Sequence, residues 1–404
     1  MLAAVFEGVL LAAALLLAVP ALVLLLQTLS AGPLPAPGVA SKREEDLRGD
    51  RPSVALLVPA HDEAAGISKA LATMLPQLRP GDRLLVVADN CTDATASIAR
   101  AAGAEVIERH DPDRRGKGYA LDFGVRALEA RPPGIVVIID ADCTLEAQAI
   151  DRLVRCCAAS GRPAQALYRM HAPEGSGPGR RIAEFAWTVR NQVRPLGGLR
   201  RGMPCQLMGS GMAFPWQRLS GAALASGHLV EDMQLGVDLA IAGASPMFCP
   251  GAALHSMFPA APEGVDSQRT RWEHGHFAVM RTAVPRLLWA SVRQLRPDLL
   301  GLALDLAVPP LAALVLATVA LLSICAVAFA FGVGATPLVI VAVTLGSIVA
   351  AIGVAHARYA RGIVSPRDFL AIPGYVLGKL PIYLRLLRRR QVDWVRTKRD
   401  GNSN

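Results

Sequence analysis

The sequence predicts an α/β domain with a mostly parallel sheet, attached to transmembrane α-helices. Two observations support this fold class. Between residues 54 and 139, short apolar runs alternate with segments of helical spacing, which is typical of a parallel sheet covered on both faces. Outside that region lie three long runs without charged residues. Each of them reaches the roughly 20 residues that a helix needs to cross about 30 Å of hydrocarbon.

The three apolar runs are Gly8–Leu26, Leu306–Gly332 and Ala335–Ala355. The first is interpreted as an uncleaved anchor, because Glu7 precedes it, a basic segment does not, and it is longer than the apolar part of a usual signal peptide. Basic residues follow the first run, precede the second and follow the third, as expected of cytoplasmic flanks. We therefore predict a multi-pass protein of the bacterial inner (cytoplasmic) membrane, with residues 30–300 in the cytosol.

The same placement of basic residues accounts for the net charge of +9, so membrane lipids are the expected partner and nucleic acid is not. We divide the chain into an N-terminal transmembrane helix, a linker, a cytosolic domain, an amphipathic interface helix, two transmembrane helices and a basic cytosolic tail. These segments are residues 1–30, 31–52, 53–284, 285–302, 303–332, 335–357 and 358–404. Residues 369–383 are apolar but contain two prolines and a lysine. We interpret them as an interfacial segment, with a fourth span as the alternative.

Within the cytosolic domain, four strands and three helices are predicted. The strands are Val54–Val58, Leu84–Ala88, Val106–Ile107 and Ile135–Ile139, and the helices are Gly66–Leu78, Ala94–Ala102 and Tyr119–Leu128. Polar clusters follow three of the strands, with the sequences PAHDE, DNCTD and DAD. Ligands of parallel sheets bind beyond the carboxyl ends of the strands, so these clusters predict an active site. The looser pattern of residues 141–226 does not allow its elements to be assigned.

Asp140 and Asp142 follow a buried strand. Two carboxylates in this spacing can face one ligand, and their hard oxygens suit Mg²⁺ or Mn²⁺. The alternative is a pair of loop-capping aspartates. Glu231 and Asp232 precede a helical pattern, where a carboxylate can act as a general base toward a hydroxyl. The alternative for this second pair is a favourable interaction with the helix dipole.

Two basic segments are candidates for binding phosphate. In QRTRW, Gln268 to Trp272, an arginine offers planar donors to a departing diphosphate and the tryptophan offers a floor for a sugar. The alternative is a basic juxtamembrane helix with an interfacial tryptophan. Lys117 is flanked by Gly116 and Gly118, which allow close approach of a phosphate. The alternative there is a flexible basic loop.

Taken in order, six segments resemble the motifs of the family 2 glycosyltransferases, in particular those with membrane spans such as cellulose, chitin and hyaluronan synthases. The segments are VPAHDE, ADNCTDAT, RRGKGYALDFG, IDADC, VEDMQL and QRTRW, and they run from about Val54 to Trp272. The resemblance implies a GT-A fold and transfer of a sugar, with inversion, from a nucleotide-sugar donor. It also favours UDP over GDP as the nucleotide.

By position, the resemblance implies a role for each matching residue. The nucleotide-sugar site would comprise Pro59, His61, Glu63, Asp89, Lys117, Asp140 and Arg271. The metal would be held by Asp142 with Asp140, and Asp232 would be the catalytic base. The acceptor would be bordered by Gly209, Ser210, Glu231, Gln268 and Trp272. The chain departs from the family in two ways: Val230 replaces the usual threonine before the acidic pair, and a gating-loop motif of the cellulose synthase kind is not evident.

Three functions follow from these observations. The first is extension of a surface polysaccharide or exopolysaccharide, which three spans would support only in a homo-oligomer or with an export partner. The second is single-sugar transfer to a polyprenyl-phosphate-linked acceptor. The third is a catalytically silent assembly subunit. The sequence does not identify the donor sugar, the linkage or the acceptor.

Overall fold

The computed structural model describes residues 2–33, 51–227, 230–259 and 262–388. Most of the predicted linker and the end of the basic tail lie outside these residues. Eight strands form one sheet in the order β3-β2-β1-β4-β7-β6-β8-β5. Their bounds are Val54–Ala60 (β1), Arg83–Asp89 (β2), Glu105–Arg109 (β3), Ile135–Ile138 (β4), Thr144–Leu145 (β5), Ala164–His171 (β6), Met212–Pro215 (β7) and Met247–Met257 (β8).

The four predicted strands are confirmed as β1 to β4, which pair in parallel. The predicted helices are confirmed as Ile67–Met74, Thr95–Ala101 and Lys117–Leu128. Beyond β4 the sheet becomes mixed, because β7 runs antiparallel to both β4 and β6. Alternate residues of β1 explain why it reads as a continuous apolar run. Leu56 packs into the core on one face of the sheet and Leu57 into the core on the other.

Further helices cover the sheet and connect it to the apolar part of the chain. Those of the domain are Ala149–Ser160, Pro178–Thr188, Arg194–Arg200, Trp216–Leu219 and Glu231–Ile241. A π-helical turn, Val189–Val193, joins the second of these to the third. A continuous helix of 32 residues, Pro262–Arg293, leads away from the domain, and the predicted boundary between residues 284 and 285 falls inside it. Further helices toward the C-terminus are Pro297–Leu306, the 3₁₀ helix Pro366–Ala371, Ile372–Leu377 and Leu380–Arg388.

Three helices are long and apolar enough to cross a membrane: Ala4–Ser30, Leu311–Ala330 and Thr336–Ala360. Many of their large apolar side chains point away from the protein, such as Leu16, Val327 and Val349. Side chains of this kind exposed in a belt indicate contact with lipid. We call these three helices the span helices.

A buried polar cluster joins the domain to the first span helix. Asp305 accepts hydrogen bonds from Gln27 Nε2 at 2.7 Å, from Arg194 at 2.8 Å and from Gln206 Nε2 at 2.6 Å. Arg194 also donates to Gln27 Oε1 at 3.1 Å. A side chain at Gly197 would collide with the backbone of Gln27, since its Cβ would lie 1.9 Å from the carbonyl oxygen. The first span helix is thus packed directly onto the domain.

Candidate active site

A polar cleft opens at the carboxyl ends of β1, β2 and β4, and we call it the donor cleft. It brings together all the residues that the sequence predicts for the nucleotide-sugar and metal sites. These are Pro59, His61, Glu63, Asp89, Lys117, Asp140, Asp142 and Arg271. Arg115 and Asn90 also line the cleft and were not predicted.

The loops after β1 and β2 bind each other through hydrogen bonds. His61 Nδ1 lies 2.7 Å from the carbonyl oxygen of Asp89, and the amide of Glu63 donates to Thr95 Oγ1 at 2.8 Å. Asp62 has a left-handed backbone, with a φ of 51°, and its carboxylate accepts a bond from the amide of Thr92 at 2.7 Å. The loops PAHDE and DNCTD are therefore joined by hydrogen bonds along one wall of the cleft.

Asp89 is buried at the end of β2 and is held by an arginine that sequence reasoning missed. Arg109, at the end of the neighbouring β3, donates to Asp89 Oδ1 at 2.6 Å and to Asp111 at 2.9 Å. Its guanidinium also lies 5.5 Å from the centre of the Tyr119 ring. The register of β2 and β3 places Asp89 opposite Arg109, and this pairing could not be read from the sequence.

The residues after β4 fit a hard divalent cation. A carboxylate oxygen of Asp140, one of Asp142 and the sulfur of Cys143 all lie within 4.8 Å of one another. Burial raises the pKa of the Cys143 thiol well above its ordinary value, so the sulfur stays protonated and is a poor ligand. The two carboxylates supply the oxygen ligands that Mg²⁺ and Mn²⁺ prefer. The structure therefore contains a suitable donor set for the metal that the sequence predicts.

The loop GSGMAF lies directly beneath these carboxylates. Ser210 is fully buried, and its hydroxyl accepts a hydrogen bond from the amide of Asp140 at 2.9 Å. The buried side chain of Gln165 binds the loop in turn, donating to the carbonyl of Ser210 at 2.9 Å and accepting from the amide of Met208 at 2.8 Å. Gln165 was not predicted, because it lies on β6, in the region that could not be assigned.

Lys117 begins the helix Lys117–Leu128 and reaches across the cleft. Its ammonium contacts the carboxylate of Asp140 and donates to the carbonyl of Gly209 at 2.7 Å. Burial by itself would lower the pKa of Lys117, but the charges of Asp140, Glu231 and Asp232 outweigh it and the pKa is raised. The side chain is therefore a permanent cation beside three carboxylates.

Glu231 and Asp232 occupy the first turn of the helix Glu231–Ile241, as predicted from the sequence. Burial raises the pKa of both, and the charge of Asp232 contributes to bringing that of Glu231 to about 7. Gly209 has a φ of +88°, and a Cβ there would lie 3.4 Å from Asp232 Oδ2. The acidic pair and the glycine loop thus meet at one point, with Lys117 beside them.

The QRTRW segment is divided between two places. Arg271 lines the donor cleft, whereas Trp272 packs against Trp187, with 4.9 Å between ring centres, and lines a separate apolar cavity. Gln268 is buried, and Arg269 lies over the ring of Tyr375 at 5.5 Å. The structure therefore does not bring Trp272 to the donor cleft with Arg271.

Val230, in place of the usual threonine, packs against the same long helix. A Cβ on Gly275 would lie 2.7 Å from Val230 Cγ1, so the glycine leaves room for the valine side chain. Val230 therefore forms an apolar contact with the long helix in this chain.

Sequence reasoning also missed Arg190. It lies in the π-helical turn Val189–Val193, and its charge acts on Asp232. Turns of this kind occur often at functional sites, but the sequence contains no sign of one here. The available signal was an arginine inside the apolar stretch AEFAWTVRNQV, whose neighbours could not be assigned to an element.

Comparison with known proteins gives the fold and the family. A family model described as glycosyltransferase like family 2 matches residues 52–275, which is more than half of the chain. In overall structure, the chain resembles a mannosyltransferase from Pyrobaculum calidifontis in complex with GDP-Man and Mn²⁺. The TM-score is 0.52 at 20% identity, over 85% of this chain and 97% of that one. This likeness shows the predicted GT-A fold.

Curated relatives match over shorter stretches. An uncharacterized glycosyltransferase of Mycobacterium tuberculosis is 36% identical over 102 residues, which are 25% of this chain and 42% of the relative. A low-salt glycan biosynthesis hexosyltransferase of Haloferax volcanii is 33% identical over 107 residues, 26% of this chain and 24% of the relative. The chain thus spans less than half the length of either relative.

Proposed function

The chain belongs to the glycosyltransferase-like family 2, and from this premise we propose that it transfers a sugar, with inversion, from a UDP-sugar to an acceptor hydroxyl. The observation that carries the proposal is that Lys117 contacts both Asp140 of the Asp140–Asp142 pair and the carbonyl of Gly209, beside which Asp232 lies. Paired carboxylates and a cation suit a metal-bound diphosphate, while a partly buried carboxylate with a raised pKa suits a general base. The acceptor hydroxyl, activated by Asp232, would attack C1 of a donor sugar held between these groups.

In the proposed reaction, Asp232 accepts the proton of the acceptor hydroxyl while that oxygen forms a bond to C1 of the donor sugar. The bond between C1 and the diphosphate oxygen breaks, and the electron pair leaves with the nucleoside diphosphate. Arg271 and Lys117 balance the negative charge that develops on the leaving group. Because a diphosphate is a good leaving group, this mechanism requires only one acid–base residue.

Asp142 and Asp140 would hold Mg²⁺ or Mn²⁺, which supplies positive charge for binding the diphosphate and easing its departure. Lys117 contacts Asp140 in the structure, so we expect this lysine to exchange its carboxylate partner for phosphate when donor and cation bind. Glu231 would orient its neighbours.

We propose that the protein works in a bacterial inner membrane, with three membrane spans and the domain in the cytosol, and takes part in surface polysaccharide or exopolysaccharide biosynthesis. The three span helices and their basic flanks support the membrane part of this proposal. Extension of a polymer by this chain would need a homo-oligomer or an export partner to form a channel. The length of the product distinguishes extension from the addition of one sugar.

The proposal is tested by release of nucleoside diphosphate from a panel of UDP- and GDP-sugars, using the full chain in nanodiscs with Mg²⁺ or Mn²⁺. We expect metal-dependent turnover of one donor, lost in both Asp142→Ala and Asp232→Asn. Asp238→Asn is the matched control, since Asp238 lies on the same helix as Asp232 but pairs with Arg286 at the surface. A folded protein that neither binds nor turns over any donor would overturn the proposal in favour of a silent assembly subunit.

A further inference from the structure

A second cavity lies between the domain and the span helices, and we call it the apolar cavity. It shares no lining residue with the donor cleft. Each span helix contributes to it: Leu24 from the first, Val315 from the second and Ile352 from the third. Trp187 and Phe258 line it from the domain side.

The apolar cavity lies at one level of the span helices. Leu24 is near the end of Ala4–Ser30, Val315 is near the start of Leu311–Ala330, and Ile352 is in the last part of Thr336–Ala360. Because the first and third helices end at the domain side and the second begins there, these three residues mark the domain-side border of the spans. An apolar ligand in this cavity would therefore lie at the border of the hydrocarbon region.

The wall of the apolar cavity also carries two arginines that make no ion pair. Arg190 lies 6.0 Å from the centre of the Trp187 ring, and its guanidinium donates to the sulfur of Met233 at 3.8 Å. Arg269 lies over the ring of Tyr375. Neither arginine forms an ion pair with any residue that the structure describes. A guanidinium on an apolar wall that makes no direct ion pair favours an anionic ligand.

Two other cations of the cavity wall are already neutralised. Arg194 is bonded to Asp305, and Lys379 is paired with Glu273. Arg190 and Arg269 therefore remain as the positive charges that a ligand can use. The apolar cavity therefore combines apolar side chains of all three span helices with two cations, a combination that suits an amphiphilic anion.

Arg190 also connects the apolar cavity with the reaction. Its guanidinium lies 3.8 Å from the sulfur of Met233, the residue that follows Asp232 in the helix Glu231–Ile241. In agreement with this position, the charge of Arg190 lowers the pKa of Asp232, which burial raises. One molecule can thus place an anionic group at Arg190 and a hydroxyl at Asp232. An ionised phosphate oxygen would need no base in order to attack, but a sugar hydroxyl does.

We propose that the apolar cavity binds the acceptor and that this acceptor is a phosphate-linked lipid saccharide. Its apolar chain lies between the span helices, its phosphate contacts Arg190 and Arg269, and a sugar hydroxyl reaches Asp232. The proposal rests on the transferase function proposed above and adds the class of its acceptor.

The test uses the full chain in nanodiscs of zwitterionic phospholipid and a photoreactive long-chain isoprenyl phosphate as the probe. We expect cross-links to peptides that contain Trp187 and Val315. Arg190→Gln should weaken binding about tenfold, as expected for loss of a charge-assisted hydrogen bond. Val315→Trp should abolish binding by filling the apolar end. The matched controls are Arg293→Gln and Val319→Trp, at exposed positions outside the cavity, and both should bind the probe normally.

Two further ligands identify the part of the probe that is recognised. The isoprenyl alcohol of the same length should compete at least tenfold more weakly than the phosphate, and inorganic phosphate should not compete. Equal competition by the alcohol would contradict the proposed anion site. Competition by inorganic phosphate alone would contradict the proposed site for the lipid chain. Labelling that is unchanged in both Arg190→Gln and Val315→Trp would overturn the whole assignment.

Donor binding is measured separately, as the affinity for UDP with Mn²⁺, so the two proposals can fail independently. Specific probe binding without turnover of any nucleotide sugar would contradict the transferase and leave the lipid site in place. Turnover in wild type that persists at full rate in Val315→Trp would contradict the lipid acceptor alone. Transfer to a soluble oligosaccharide, equally fast in Val315→Trp, would assign the acceptor to a free glycan instead.

Discussion

The donor cleft and the apolar cavity are built in different ways. The donor cleft collects short polar segments that each follow a strand, so residues close in sequence, such as Asp140 and Asp142, act together. The apolar cavity collects single side chains from distant parts of the chain, such as Leu24, Arg190 and Ile352. The first site follows from the topology of a parallel sheet, whereas the second exists only once the domain has packed onto the span helices. If the proposed roles are right, binding of the donor depends on the fold, while binding of the acceptor depends on how the domain of this chain packs onto its span helices.

The largest expected effect falls at Asp232, on which the charges of Lys117 in the donor cleft and Arg190 in the apolar cavity both act. Asp232→Asn removes the proposed base and should lower kcat by about 10² to 10⁴, the usual contribution of general base catalysis. Affinity for UDP with Mn²⁺ should remain, since Asp232 does not line the donor cleft. Single-turnover kinetics and nucleotide titration measure the two quantities. If Asp232→Asn lost nucleotide affinity by the same factor as rate, Asp232 would be assigned to donor binding and not to base catalysis.

The next prediction tests the packing on which the apolar cavity depends. Asp305→Ala leaves the buried guanidinium of Arg194 without its carboxylate and should lower the free energy of unfolding by about 3–5 kcal/mol. Asp238→Ala removes an exposed pair and should cost about 1 kcal/mol or less. Thermal unfolding in detergent compares the two variants. Similar small losses would mean that the cluster does not hold the first span helix on the domain.

A smaller effect is expected at Gly209. Gly209→Ala should reduce turnover roughly tenfold, because the residue has a φ of +88° and the new methyl group would lie 3.4 Å from the Asp232 carboxylate. Gly175→Ala is the control: Gly175 has a φ of +71°, but a Cβ there meets nothing within 4 Å. Steady-state kinetics on both variants separates backbone strain from disturbance of the site. Equal losses would attribute the effect to strain alone.

The smallest effect is a shift in the pH profile. Lys117 and Arg190 lower the pKa of Asp232, while burial, which is the largest influence, and the charge of Asp140 raise it. Removing one cation in Arg190→Gln therefore raises that pKa further. Since the base must be deprotonated to accept a proton, the acid limb of kcat/KM against pH should move to higher pH. An acid limb at the same pH in wild type and Arg190→Gln would place Arg190 too far from the base to act on it.

The sequence predicts the first half of the sheet well because each strand there is a buried apolar run with a polar end. It also places Asp140, Asp142, Lys117 and Asp232 in segments that the structure brings together. Arg109 and Gln165 are missed because strand register and a buried side chain position them. Arg190 is missed because a π-helical turn shifts the helical spacing on which the prediction relies. Arg271 and Trp272 are adjacent in one motif but line different cavities, and the sequence does not show the side-chain directions that separate them.

The long helix Pro262–Arg293 restricts how this chain can vary in length. Its 32 residues extend about 48 Å, and each residue turns the helix by about 100°. Arg271 faces the donor cleft from one part of it, and Trp289 is exposed in a later turn. Inserting or deleting one residue between them would swing these side chains apart by a quarter turn, although every substitution in between could be harmless. We therefore expect functional homologues of this chain to differ in composition along this stretch while keeping its number of residues.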